Sequence, residues 1–173
     1  MKNKLALSFL LLAFSLIGCG YKPSSTYTTP ILGNKIETEV DIDIKNPTDS
    51  VFLKDALNEA VLSVFNAKVV NKGDSKIKLK VISTSLSTLD YDKNGYPILY
   101  RANASIKAYI TDINNTLNTY NGSGSYDFSV DSNSIVSDTL RDNAIKEAFL
   151  KALQEIEFKI ATKGMKNDNK RSK

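Results

Sequence analysis

The sequence has no histidine, no tryptophan and a single cysteine, Cys19, among its 173 residues. Without histidine, a serine or cysteine nucleophile lacks an imidazole base, and a metal ion lacks an imidazole ligand. One cysteine cannot form a disulfide framework, a thiolate zinc site or an iron–sulfur cluster. We therefore predict no metal site and no cofactor, and most of the familiar catalytic arrangements are excluded.

The N-terminus has the pattern of a bacterial lipoprotein signal. Two lysines precede the apolar run 5–17, which is too short to span a bilayer as a helix. The sequence Leu-Ile-Gly-Cys at 16–19 resembles a lipobox, in which the chain is cut before the cysteine and the cysteine thiol receives diacylglycerol. We predict that residues 1–18 are a signal peptide and that Cys19 is lipidated. An ordinary secretory signal beside an accidental cysteine is the alternative.

The segment after the cleavage site predicts how the protein is held in the envelope. Residues 19–33 are rich in serine, threonine and proline and have no periodicity, so we predict a flexible tether between the lipid and a folded domain. Gly20 follows the cysteine, and the aspartate that often retains lipoproteins at the inner membrane is missing. By that resemblance the mature protein is expected on the periplasmic face of the outer membrane, anchored by its lipid.

The charge distribution argues against a nucleic-acid partner. The net charge of +4 and the sequence pI near 9.0 at first favour an anionic polymer. However, residues 1–18 carry +2 and residues 163–173 carry +4, so the remaining chain carries −2. The tail 163–173 has no aromatic residues and no apolar face, and we predict that it is disordered.

Hydrophobic periodicity predicts one α+β domain over residues 34–162. Alternating residues indicate four strands, and apolar residues at helical spacing indicate two helices. The predicted strands cover 36–44, 75–86 and beyond, 100–110 and 117–128, and the predicted helices cover 51–65 and a long segment capped by Asp138. The order βαβββα predicts a four-stranded, mostly antiparallel sheet with both helices on one face. Gly122 and Gly124 predict a bulge or bend in the fourth strand.

Acidic residues in the first strand raise two rival functions. Glu37, Glu39, Asp41 and Asp43 alternate along it, so they share one face and could be imagined as calcium ligands or as a catalytic carboxylate pair. A strand does not wrap its carboxylates around an ion as a calcium loop does, and nothing in the sequence raises a carboxylate pKa for acid–base work. A solvated strand face is the favoured interpretation, and a carboxylate-dependent hydrolase stays the weaker alternative.

Several short motifs together resemble one family of envelope proteins. These are Cys-Gly-Tyr at 19–21, the element order, Tyr-Asp-Lys-Asn-Gly at 91–95 leading to Tyr-Arg at 100–101, and Ala-Ile-Lys-Glu-Ala at 144–148. The combination resembles the LPS-assembly lipoprotein family (LptE). The resemblance implies a non-enzymatic protein that plugs the outer-membrane LPS-transport β-barrel as a 1:1 complex. It also implies help with barrel assembly and with delivery of lipopolysaccharide (LPS) to the outer leaflet.

The same resemblance implies two positions for LPS contact. A basic residue at the tip of the hairpin between the second and third long strands corresponds to Lys93, and a second basic position before the last helix corresponds to the uncharged Ser137. An ammonium at a hairpin tip can contact a phosphorylated headgroup, whereas Lys93 could equally be a solvated turn residue. The alternative function is a free-standing periplasmic lipoprotein that binds envelope glycans or assists another assembly machine.

Overall fold

The computed structural model describes residues 24–41 and 47–171. The predicted signal peptide and the predicted lipidation site, Cys19, lie outside the described residues. The described chain contains three helices and five strands. They are α1 (Ser25–Leu32), β1 (Lys35–Asp41), α2 (Pro47–Ser63), β2 (Lys68–Val69), β3 (Ser75–Tyr91), β4 (Pro97–Thr111), β5 (Leu117–Ser129) and α3 (Asp138–Arg171).

The strands form one mixed sheet in the order β2-β1-β3-β4-β5. β1 is parallel to both β2 and β3, whereas β3, β4 and β5 are successively antiparallel. The single α+β domain is confirmed, but the prediction of four mostly antiparallel strands is wrong in two details. The two-residue β2 adds a fifth strand, and α2 acts as a crossover that returns the chain to the sheet in its original direction, which makes β1 and β3 parallel.

The core lies between the sheet and the two long helices. Alternate residues of β3 and β4 point into it, among them Ile77, Leu79, Ile106 and Ile110, all essentially inaccessible to solvent. Leu57 of α2 and Phe149 of α3 belong to the same buried cluster. Removing a fully buried phenylalanine ring typically costs about 3–5 kcal/mol. Because the residues that the helical and strand periodicities placed inward are buried in this cluster, the predicted periodicities are confirmed.

Two glycines in β5 allow the backbone of α3 to approach closely. The register between β4 and β5 is unbroken from Leu117 to Ser129, so these glycines do not form the bulge that the sequence suggested as one of two possibilities. A Cβ atom at Gly122 would collide with the carbonyl oxygen of Ala152. One at Gly124 would collide with the carbonyl oxygen of Ala148. The glycines therefore serve helix–strand packing rather than strand geometry.

Both segments that were predicted to be irregular are helical where the structure describes them. Residues 25–32 of the predicted tether form α1, because its buried Thr28 and Leu32 pack toward the core. At its start, Ser24 is hydrogen-bonded to the carboxyl group of Glu157 in α3, and burial raises the pKa of that carboxyl. The predicted disordered tail continues α3 to Arg171. Lys163 stabilises this continuation by donating to Asn118 Oδ1 at 2.6 Å.

Candidate functional site at a hairpin turn

The hairpin between β3 and β4 closes through residues 92–96, as the Asn-Gly pair predicted. The amide of Asp92 donates to the carbonyl of Tyr96 at 2.8 Å, and the amide of Gly95 donates to the carbonyl of Asp92 at 3.0 Å. Gly95 has a φ of 84°, a conformation that glycine adopts without steric cost. The Oδ1 atom of Asp92 accepts from the amides of Asn94 and Tyr96 at 2.8 and 2.9 Å. One carboxylate thus organises the whole turn.

The charge of Asp92 is directed into the turn. Hydrogen bonds to its carboxylate, first from the amide of Tyr96 and then from Asn94 and the hydroxyl of Ser132, lower its pKa below the usual aspartate value. The Ser132 contact also places the loop after β5 beside the turn, where the amide of Val130 donates to the carbonyl of Ile98 at 3.0 Å. Two chain segments therefore meet at this end of the sheet.

Lys93 lies at the tip of this turn and is exposed. Within the described part of the chain, its ammonium has no carboxylate oxygen within the 4.0 Å of an ion pair. The structure thus puts Lys93 at the hairpin tip, as expected, with its charge available to a ligand. Its contact with LPS stays a prediction.

Large apolar side chains are exposed at the same end of the molecule. Leu89, Tyr91 and Tyr96 are 41%, 56% and 45% exposed, and Ile135, in the neighbouring loop, is 94% exposed. The sequence motif 91–95 contains Tyr91, but its pattern did not indicate that these apolar side chains are exposed together. Tyr91 precedes the turn and Tyr96 is its last residue, so both lie where the alternation of buried and exposed strand residues ends. This position in the sequence was the available sign that their rings are exposed. The hairpin end thus combines a free cation with apolar surface.

Ser137 has a structural role that its sequence position did not reveal. Its hydroxyl accepts a hydrogen bond from the amide of Leu140 at 3.3 Å, which makes Ser137 the N-cap of α3. The prediction that Asp138 caps this helix is wrong, because Asp138 is already its first residue. Among the described contacts, Ser137 makes none with Lys93.

The acidic residues of β1 are paired with lysines of β3. Lys76 contacts Glu37 and Glu39 at 2.8 and 2.7 Å, and Lys78 contacts Glu39 and Asp41 at 2.8 and 2.7 Å. Hydrogen bonds from Lys76 and then Lys78 lower the pKa of Glu39 to about 2. All three carboxylates are occupied by ammonium groups, which suits neither proton transfer nor ion binding. Asp43 lies outside the described residues.

Two further observations concern membranes and metals. No helix within residues 24–41 and 47–171 is both long and apolar enough to cross a bilayer. In the same residues, no three acidic or sulfur side chains are grouped as a metal ion requires. Within the described residues, the candidate site thus consists of the exposed ammonium of Lys93, its apolar neighbours and the hydrogen-bonded turn that carries them.

The mixed sheet backed by helices has a counterpart among solved structures. A lipoprotein from Caulobacter crescentus has a similar fold, with a TM-score of 0.51, 14% identity, and coverage of 80% of this chain and 93% of that one. Rare lipoprotein B from Shewanella oneidensis matches with a TM-score of 0.41 and 10% identity, over 81% of this chain and 100% of that one. No curated protein matches the chain.

The family itself is identified from the sequence. The model of the lipopolysaccharide-assembly family LptE matches residues 38–160, from β1 into the second half of α3. The chain therefore belongs to the LptE family, a non-catalytic lipoprotein family that acts in lipopolysaccharide assembly together with the LPS-transport barrel.

Proposed function

We propose that this protein is an outer-membrane lipoprotein that plugs the LPS-transport β-barrel and helps it to assemble. One copy would occupy each barrel and support delivery of LPS to the outer leaflet. The observation that carries the proposal is the family match over residues 38–160, which extends over nearly the whole domain. The absence of histidine agrees with a protein that acts by shape and position rather than by acid–base chemistry.

The dimensions and polarity of the sheet support a plug. β3 has 17 residues and β4 has 15, so at about 3.3 Å per residue this hairpin is roughly 50 Å long. The face of the sheet opposite the helices is lined mostly by charged, hydroxyl and amide side chains, with Leu99 and Leu117 near its two ends. The lumen of a large outer-membrane barrel is polar and can be closed by a protein plug. An elongated domain with a polar face suits such a lumen.

The hairpin end supports contact with an amphiphile. The free ammonium of Lys93 matches a phosphate group, and the exposed Tyr91, Tyr96 and Ile135 offer apolar surface to acyl chains. Asp92 lies next to Lys93 and would repel a phosphate. This repulsion is reduced because the carboxylate accepts hydrogen bonds from two amides of the turn. We infer that this end of the molecule meets the phosphorylated headgroup of LPS.

The plug function is tested by isolating the protein from its own membrane in a mild detergent. A large outer-membrane β-barrel should co-purify in equal amount, and depletion of this protein should reduce both the folded barrel and surface LPS. Recovery without any barrel, together with an unchanged LPS profile after depletion, would reject the plug. That outcome would favour the free-standing periplasmic lipoprotein that binds envelope glycans or assists another assembly machine.

The role of Lys93 is tested by Lys93→Glu, with Lys72→Glu as the matched control. Lys72 is an exposed lysine in the segment between β2 and β3. We expect Lys93→Glu to weaken binding of purified LPS while barrel association stays intact, and we expect the control to bind LPS like the wild type. Equal binding by both variants would remove Lys93 from the site.

The anchor is tested by Cys19→Ser. The variant should lose the lipid, retain its signal peptide uncut at position 19 or be cut elsewhere, and no longer fractionate as a lipid-modified membrane protein. Mass spectrometry of the mature N-terminus measures this directly. An unmodified cysteine in the wild type would contradict the lipidation site.

A further inference from the structure

The side of the sheet opposite the helices, here called the outer face, has an ordered arrangement of side chains. Strand register aligns residues of β3, β4 and β5 into rows across this face. Three rows contain only lysine, serine and asparagine: Lys80–Lys107–Asn121, then Ser83–Ser105–Ser123, then Ser85–Asn103–Ser125. The exposed Ile82 stands at a register shift between the first row and the second. The next row ends this region with the bidentate pair between Arg101 and Asp127, at 2.6 and 2.7 Å.

The first row holds two like charges directly opposite each other. Lys80 and Lys107 are register partners on neighbouring strands, and both point to the outer face because their neighbours Leu79 and Ile106 are buried. Directly opposed like charges destabilise a pair of strands. Neither ammonium has a carboxylate oxygen within ion-pair distance in the described residues.

The rest of the same face shows that this pair is exceptional. Lys76 and Lys78, on the same side of β3, are each held by two carboxylates of β1. Asp41 is the register partner of Lys80, yet its carboxylate is bonded to Lys78 instead. The lysine stripe therefore begins as an ion-paired ladder of two lysines and three carboxylates. It ends at Lys80 and Lys107, whose ammonium groups make no ion pair within the described residues.

Shallow depressions lie on the outer face beside Lys107, whereas Lys80 lines a separate depression together with Asp41. The one that Lys107 lines has a volume of about 390 Å³ and is also lined by Ile82, Asn121, Glu155 and Lys159. A neighbouring one of about 450 Å³ is lined by Asn103, Ser125 and Lys151. These last two depressions share Ser105 and Ser123, so they form a continuous floor. The floor offers hydroxyl and amide side chains that both donate and accept hydrogen bonds. At its rim the Glu155 carboxylate accepts from the Ser123 hydroxyl at 3.1 Å and is neutralised by Lys159 at 2.7 Å.

We propose that the outer face binds a phosphorylated saccharide, with its phosphate between Lys80 and Lys107 and its sugar on the serine and asparagine rows. Two ammonium groups match the two charges of a phosphate. Sugar hydroxyls can pair with the hydroxyl and amide side chains beyond them. An acidic protein fits less well, because serine is depleted at protein interfaces and this floor lacks the aromatic anchors that bind proteins.

This site is separate from the hairpin tip and does not depend on the barrel. If the ligand is the saccharide of a lipid, that lipid would be LPS, and this version of the proposal rests on the proposed function. A free sugar phosphate would fit the same groups and requires no such link. The shared chemistry is a phosphate ester on a hydroxyl-rich ring, and the two sources are separated by the choice of probe.

The experiment titrates the full mature protein in detergent micelles and follows the backbone amide signals of β3, β4 and β5 by NMR. The probes are inorganic phosphate, glucose, glucose 1-phosphate and LPS. Glucose 1-phosphate should shift signals in the three rows and bind more tightly than phosphate or glucose alone. Absence of any saturable shift with glucose 1-phosphate and with LPS would overturn the proposal, as would tight binding of polyglutamate in their place.

Variants assign the binding to the two lysines. Lys80→Gln and Lys107→Gln should each weaken glucose 1-phosphate binding by about tenfold, which is the usual effect of losing one charge-assisted hydrogen bond, while Lys72→Gln should not. Lys80→Glu reverses one of the two charges and should abolish binding. Its backbone amide signals outside the three rows should match those of the wild type, which shows that the variant is folded and keeps the test independent of folding. Unchanged binding in Lys80→Glu would contradict the site, whether or not the barrel co-purifies. Binding of LPS alone, or of glucose 1-phosphate alone, identifies the source.

Discussion

The molecule contains two hairpin turns of the same design in different surroundings. The second, between β4 and β5, is formed by residues 112–116 and repeats the bonds of the first. The amide of Asp112 donates to the carbonyl of Thr116 at 3.1 Å, and Asp112 Oδ1 accepts from the amides of Asn114 and Thr116, both at 2.9 Å. Asn115 has a φ of 59°, where the first turn has Gly95. Both turns therefore depend on an aspartate at the first position.

The difference lies in what contacts each turn. Asp112 is 8% exposed, and the amide of Ile113 donates to the carbonyl of Ile31 at 3.1 Å, so the second turn is fixed against the end of α1. In the first turn, the equivalent Asp92 is half-buried, and within the described residues the amide of Lys93 donates to no carbonyl of another element. The side chains of Lys93 and Ile113 are both exposed. Five residues are enough to specify a turn, whereas tertiary contacts decide whether its tip is a packing element or is free for a ligand. The second turn thus fixes the end of α1, the helix that follows the predicted lipid anchor in the sequence.

The largest difference should appear when the two aspartates are removed. Asp112→Ala should lower the free energy of unfolding by about 2 kcal/mol, because it leaves two amides without an acceptor at a site that water hardly reaches. Asp92→Ala should cost clearly less, because water can replace its carboxylate. Urea unfolding of both variants at neutral pH measures the two losses. Equal losses would mean that packing around the second turn adds nothing.

A substitution one position before the end of each turn should have the same effect at both. Gly95→Ala forces a Cβ into a left-handed conformation and should cost about 1 kcal/mol. There is open space around Gly95, so the cost is conformational. Asn115→Ala should cost a similar amount, and Asn115→Gly should change stability by a few tenths of a kcal/mol at most. A much larger loss for Asn115→Ala would show that surroundings, and not only backbone geometry, act at this position.

The same distinction explains what the sequence could predict. The first turn, the periodic cores of β3 and β4 and the apolar spacing of α3 depend on neighbouring residues, and their patterns were informative. α1 was not predicted, because its serine, threonine and proline content hides Leu32, and its stability comes from contacts with α3 far along the chain. The parallel pairing of β1, the helix contacts of Gly122 and the exposure of Tyr91 likewise depend on where distant elements meet.

The smallest expected effect concerns pH and the first turn. Amide hydrogen bonds from Tyr96 and Asn94, together with the hydroxyl of Ser132, lower the pKa of Asp92 in the folded protein. A carboxyl with a lowered folded pKa stabilises the fold at pH values above its unfolded pKa of about 4, and this contribution is lost as the pH falls through the folded value. Asp92→Asn removes the titration but keeps an oxygen that can accept the same bonds.

Urea midpoints of wild type and Asp92→Asn, measured from pH 6 down to pH 2, test this linkage. The wild type should be the more stable at pH 6, and the gap should close as the carboxylate becomes protonated in the folded state. A gap that stays constant over this range would mean that the amides of the turn hold the neutral oxygen as well as the charged one. The turn would then have the same conformation with Asp92 protonated or ionised. The charge of Asp92 would act only through its electrostatic attraction to the ammonium of Lys93.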